Sequence, residues 1–266
     1  MSYTVSQYDF RLGFSLFGGR ASAGSRILSQ EVQLDESFHI GERNTLEFGA
    51  QIGRQEVRPG DFTTTDTTSA RPVHVTPKDG VTSALYVNHA FDITPRLTLQ
   101  YGVRYAHFAR RGPALIYNYA GGRPVMWNEA LQRCEPSTLR DSTYYDGGII
   151  SSHGGLELRL SMRFGLNTNS SVKTSYARTR QYLLLATRTN SPTPLDVWEP
   201  VGPYVKPQQG DQGAIGYTST LRDGRYEFLA ETYYKRTYNV LDFVDGTDVL
   251  LKRRVETGIL QGEGRA

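Results

Sequence analysis

One cysteine, Cys134, stands in 266 residues. A single thiol excludes an intrachain disulfide framework and a thiolate zinc site. Long apolar runs are also missing. Mean hydropathy is -0.47, and nowhere do about 18 apolar residues follow one another, which excludes a membrane protein built from helices. Charge of one sign is scarce too: 30 basic against 27 acidic residues leave +3, interspersed along the chain, and nucleic acid is not an expected partner. The first residues, Met1–Gln7, carry neither a basic segment nor an apolar core, so no signal peptide is read there. What is plentiful is glycine (27), tyrosine (17) and phenylalanine (11). An aromatic share of 11% with little net charge argues for an ordered chain. Soluble β proteins have this profile, and so do outer-membrane barrels, whose apolar residues occupy one face of each strand.

The helical period is nearly absent and alternation dominates. Tyr8, Phe10, Leu12, Phe14 and Leu16 share one face. Leu46, Phe48, Ala50 and Ile52 do the same, as do Leu97, Leu99, Tyr101, Val103 and Tyr105. Leu156, Leu158, Leu160, Met162 and Phe164 alternate with Glu157, Arg159, Ser161 and Arg163; Tyr226, Phe228 and Ala230 oppose Glu227 and Glu231. Weaker alternation marks strands near 26–38, 81–91, 171–183, 211–221 and 249–259, about ten in all. Connections alternate in length. Short turns fall at Ile40–Asn44, Asp92–Arg96, Gly165–Ser170 and Arg222–Arg225. Long loops fall at Pro59–Gly80, Arg110–Ser152, Leu184–Gly210 and Asn239–Asp248, with Gly18–Ser25 the shortest of that class. A meander with every long loop at one end reads as an outer-membrane barrel in one domain, 1–266, rather than a sandwich. Tyr8, Tyr105, Tyr182, Tyr226 and Tyr234 are expected in its interfacial aromatic girdle.

Chemistry-bearing clusters are few. The five histidines are scattered, and no pair has metal-ligand spacing on one element. Gly258–Gly264 superficially looks like a phosphate loop but lacks the Lys and Ser/Thr that loop needs. Asn169-Ser170-Ser171 matches a glycosylation acceptor by short pattern only. Catalysis could be built only from Asp146 with His153, or His74 with Asp79, so the chain is read as no enzyme, with no cofactor. Binding chemistry concentrates in loop 184–210. Pro192, Pro194, Pro200, Pro203 and Pro207 stiffen it, Trp198 and Tyr204 offer flat amphipathic surfaces, and Arg180 and Arg188 offer forked donors. Arg180, Trp198 and Tyr204 are the expected ligand contacts, the alternative being a loop that packs on itself over the barrel mouth.

One family fits these residues. The segment Ser171-Val-Lys-Thr-Ser-Tyr176-Ala-Arg178-Thr-Arg180-Gln-Tyr182-Leu closely resembles a strand of TonB-dependent outer-membrane receptors of the Bacteroidetes type. Ser191–Trp198, Gly202–Gln208, Asp211–Tyr217, Tyr226–Lys235, Asp242–Gly246 and Gly262–Ala266 are similar to the loop, strands and hairpin that follow in that family. Gly154–Ser161 and Leu97–Tyr105 fit the same barrel, and Leu158 departs from it where proline is expected. The resemblance implies a barrel of about 22 strands closed by a plug, of which this chain holds about ten. It implies energy-coupled uptake across the outer membrane, with outer-membrane lipid, the plug and the inner-membrane TonB complex as partners and an extracellular ligand of unknown identity. On that reading the chain is an internal barrel segment without plug or signal peptide. Arg104, Glu157, Arg159, Arg163, Glu231 and Lys235 line its lumen toward the plug. Its open edges predict aggregation unless it recloses as a smaller barrel. Other readings are a small self-contained barrel acting as a binding or adhesion module, a barrel hydrolase, and a soluble β-sandwich lectin.

Overall fold

A computed structural model describes all residues except 17–18, 66–71, 188–196, 223 and 246–253. Its strands in chain order are β1 (Ser2–Leu16), β2 (Gly19–His39), β3 (Asn44–Thr64), β4 (Val73–His74), β5 (Lys78–Thr94) and β6 (Leu97–Arg111). Then come β7 (Ala114–Tyr119), β8 (Val125–Asn128), β9 (Arg133–Pro136), β10 (Leu139–Tyr145), β11 (Ile149–Gly165) and β12 (Ser170–Gln181). The last are β13 (Leu183–Ala186), β14 (Val197–Pro200), β15 (Gln208–Leu221), β16 (Tyr226–Phe243) and β17 (Ile259–Arg265). One antiparallel sheet runs β1-β2-β3-β5-β6-β11-β12-β15-β16-β17, with β4 paired to β3. Among the described residues no pairing joins β1 to β17. The sheet is open and has not reclosed into a smaller barrel.

The tight turns sit where alternation predicted them. Ile40 donates to the Asn44 carbonyl at 2.9 Å and Leu166 to that of Ser170 at 2.9 Å. Gly41 and Gly224 hold φ of 68° and 90° in these turns, the left-handed region where a Cβ is strained. At the other end the strands run long: β2 and β3 have 21 residues each, about twice the 9–11 that cross hydrocarbon. The first connection corrects the sequence reading. Gly18–Ser25 is not a loop, because β1 continues to Leu16 and β2 begins at Gly19. The expected strand 249–259 is also displaced: Val255–Thr257 form a 3-10 turn, the strand is Ile259–Arg265, and 249–253 lie outside the described residues. Gly262 and Gly264 are strand residues, so the phosphate-loop likeness ends there.

Register separates the two faces. Tyr105 pairs with Leu85 and Leu156, Val103 with Val87 and Leu158, and Tyr101 with His89 and Leu160. The hydrophobic members of these rows are exposed, Leu85 at 65%. Exposed apolar rows of this breadth mark a surface that meets an apolar partner, and their alternation with a polar face fits the lipid face of an outer-membrane barrel. The opposite face carries polar rows. Arg104 pairs with Tyr86 and Glu157, and Lys173 with Arg163 and Gly216, which in turn pairs with Glu231. Arg104 reaches Gln51 and stands 3.8 Å from the buried Glu157, while Tyr86 donates to Asp35. Such bonded charges are tolerated inside a barrel because the lumen is polar.

The first strand inverts this pattern part-way up. Tyr3 and Val5 share the outer face, but Tyr8 pairs with Ile27, Ile27 with Val57, and Val57 with Lys78, all on the inner face. Phe14 packs inward on Ala21, Phe62 and Val73, while Asp9 and Arg26 pair at 2.5 Å outside. Above the lipid the outer face meets water and the inner face meets packed loops, so polarity exchanges sides. Tyr8 therefore leaves the expected girdle. Tyr182 leaves it as well, since it stacks inside on Phe108 with centroids 5.8 Å apart. Tyr105, Tyr226 and Tyr234 stay exposed.

Candidate functional site

The upper inner wall is covered by the chain itself. The β13–β14 hairpin and residues 201–207 lie on it, and their apolar side chains build the main core. Leu184, Ala186, Val197, Val201 and Val205 pack with Phe108 of β6, Leu241 of β16, Val255 of the 3-10 turn and Ile259 of β17. A continuous apolar run builds the hairpin: Leu183, Leu184, Leu185 and Ala186 pair with Pro200, Glu199, Trp198 and Val197. Gly80 makes room below it. A Cβ at that position would meet the Phe108 ring, so only glycine lets the ring lie flat on β5.

Polar anchors fix this strap at several points. The Tyr182 hydroxyl donates to the Ala106 carbonyl at 2.9 Å. His153 Nε2 lies 3.0 Å from the Gly202 carbonyl. Gln261 Nε2 donates to the Lys206 carbonyl at 2.8 Å, and its Oε1 accepts from the Lys206 N–H at 2.9 Å. The strongest anchor is charged. Glu199 is 2% exposed, and Lys78 Nζ donates to its Oε1 at 2.6 Å and also meets its second oxygen. Arg110 Nη1 stands 4.0 Å from the same carboxylate. Burial pulls the Lys78 ammonium below the ordinary lysine range, against the attraction of Glu199, and lowers Arg110 in the same way. Beside them lies a cavity of about 70 Å³, lined also by Tyr117, Tyr204, Gly202 and Glu256.

The expected ligand residues fall around this strap but do not converge on one open pocket. Trp198 meets Tyr8 edge-on, centroids 6.5 Å apart, across the inner wall. Tyr204 donates to the Tyr117 carbonyl at 2.8 Å and stands edge-on to Tyr119, so it serves as an anchor. The Arg180 guanidinium lies against Gly155, where a Cβ would collide with it, and its backbone N–H donates to Glu157 Oε1 at 3.2 Å. Arg188, Pro192 and Pro194 lie outside the described residues.

The proposed acid–base pairs do not form. His74 pairs with Asp61 at 3.0 Å, Asp79 pairs with Arg54 at 2.5 Å, and His153 bonds the Gly202 carbonyl rather than Asp146. No group of three metal-ligating side chains occurs among the described residues. Sequence reasoning missed Lys78, Arg110 and Glu199. The available signal was Glu199 itself, a lone charge in Val197-Trp-Glu-Pro-Val201, where an apolar setting demands a buried partner.

Comparison with known proteins matches this geometry. The family model described as TonB dependent receptor-like, beta-barrel, fits residues 2–257 and distinguishes no subgroup. No curated protein matches the chain. Among solved structures it resembles the copper transporter OprC (TM-score 0.55, 9% identity, 88% of this chain and 35% of that one). It also resembles the Serratia marcescens hemophore receptor HasR, solved with its hemophore HasA and heme (0.53, 13%, 90% and 37%). A third is the apoprotein form of the FrpB iron transporter of Neisseria meningitidis (0.53, 10%, 99% and 41%). The chain thus spans well under half the length of each of these receptors. With its open meander, lipid-type outer face and tight turns at one end, the chain belongs to the TonB-dependent receptor β-barrel family of the outer membrane.

Proposed function

We propose that the chain forms part of the wall of a receptor that takes up a metal, or a chelate carrying one, across the outer membrane. The family match over 2–257 supports the receptor part of this reading, and the heme, iron and copper receptors it resembles in fold suggest the metal. The partial coverage of its structural relatives and the open sheet support the view that further strands and a plug complete the barrel. In this reading Arg104, Glu157, Arg163 and Glu231 face the plug, and energy comes from the inner membrane through it. Arg180 and Trp198 contact ligand near the mouth, and Tyr204 holds the loop that presents Trp198.

The test is uptake by cells that carry the complete reading frame. Accumulation of labelled iron or copper chelates should depend on the membrane potential and fall on Trp198→Ala, with the protein level unchanged. Accumulation that ignores both the potential and deletion of the gene would remove the reading.

A further inference from the structure

Among the described residues, the charges under the strap do not balance. Lys78, Arg110 and Arg254 gather at the cavity and its rim, with Arg254 5.6 Å from the Tyr117 ring centre. Among the described residues the carboxylates of the cavity lining are Glu199 and the half-buried Glu256. Lys78 takes both oxygens of Glu199, and the Tyr119 hydroxyl donates to Glu256 at 2.7 Å. Arg110 is left with the weakest share. It is 8% exposed, only Nη1 comes within 4.0 Å of Glu199, and its buried Nε has no hydrogen-bond partner. The Nε is sealed off and stays unbonded, so the guanidinium carries a large desolvation penalty, and an acceptor on the side of Arg110 that lines the cavity would offset its charge. The adjoining cavity, about 70 Å³, has room for one compact group. Gly202 keeps that approach open, since a Cβ there would stand 2.9 Å from Arg110 Nη1.

We propose that this cavity is an oxyanion site: one carboxylate or phosphate group binds on the Arg110 edge, beside Glu199, and clamps the strap to the wall. The site is distinct from the Arg180 and Trp198 contacts and does not depend on what the barrel transports. Bound there, the anion completes the charge balance of Arg110, so occupancy and strap closure strengthen one another.

The experiment is calorimetric titration with inorganic phosphate, acetate and chloride at constant ionic strength. It uses the protein purified in detergent with whatever polypeptide flanks it in its natural reading frame. Heat-dependent gel migration reports that each variant is folded. Phosphate and acetate should bind where chloride does not. Arg110→Gln should weaken phosphate at least tenfold, and Gly202→Ala, whose Cβ narrows the approach to Arg110 Nη1 and leaves the Lys78–Glu199 anchor intact, should weaken it several-fold. Should Arg110→Gln not hold the fold, Gly202→Ala decides alone. Equal heats for all three salts, or phosphate binding unchanged in the folded variants, would show a cavity filled by water and overturn the proposal.

Discussion

At the residue scale the strap depends on a few buried groups. Glu199→Ala leaves the Lys78 ammonium buried without its carboxylate, and breaking such a pair costs about 3–5 kcal/mol. Chemical denaturation should show a loss of that order, with loop 201–207 cut early by protease. A loss below about 1 kcal/mol would place the pair at the surface instead. Tyr182 gives a pH test. Burial pushes its phenol up to about 12, against about 10 for a free phenol. The folded state thus favours the neutral form. The contribution is complete below pH about 10 and is lost as pH climbs toward about 12. Strap opening followed by Trp198 fluorescence should fall in that window, and Tyr182→Phe should remove this component of the pH dependence. Little of this was legible in the sequence. Tyr182 looks like any strand tyrosine, and the partners Lys78 and Glu199 lie 121 residues apart. Trp198 and Tyr204 were legible as important aromatics, but a chain pattern does not say whether a ring packs or waits for a ligand.

At the element scale the strands follow from alternation, because period two places apolar side chains on one face and lipid selects that face. Leu158 and Arg159 are neighbours with opposite surroundings: Leu158 pairs with exposed Val103, and Arg159 with Gly102 on the inner face. Leu158→Arg or Leu99→Arg should therefore cost ~2–4 kcal/mol near the bilayer midplane, whereas Arg159→Gln should change little. Folding titrations into lipid vesicles measure both, and equal costs would reverse the assignment of faces. The upper part of β1 shows where the same logic misleads. Its alternation is as clean as that of β6, yet Phe14 faces inward, because above the membrane the packed side is the interior. The sequence marks the switch in retrospect: apolar residues change from odd positions (Tyr3, Val5) to even ones (Tyr8, Phe10) around Gln7. Ser6 and Gln7 are both polar, so no single residue announces it.

At the scale of the whole molecule the meander order and the single-ended loops were legible from turn spacing alone. The inward course of the β13–β14 hairpin was not. It depends on contacts such as Leu184 with Phe108, which no local period encodes. The open sheet has a consequence at this scale. Among the described residues β1 and β17 each have one strand neighbour only, and hydrocarbon does not accept such open edges. The 266-residue chain alone should aggregate on dilution into lipid vesicles, and, on the proposed reading that further strands complete the barrel, co-refolding with those strands should suppress this. Turbidity and gel migration follow both.

The central claim is that one face of this sheet is a lipid surface and the other a lumen. Spin labels on β11 test it most directly. With Cys134 replaced by serine, single cysteines are placed in turn at positions 156 to 160 in lipid-reconstituted protein. Collision with oxygen reports lipid, and collision with a water-soluble nickel chelate reports water. The account predicts oxygen access at 156, 158 and 160 and nickel access at 157 and 159. Nickel access at every position, or the alternation in the opposite phase, would contradict it.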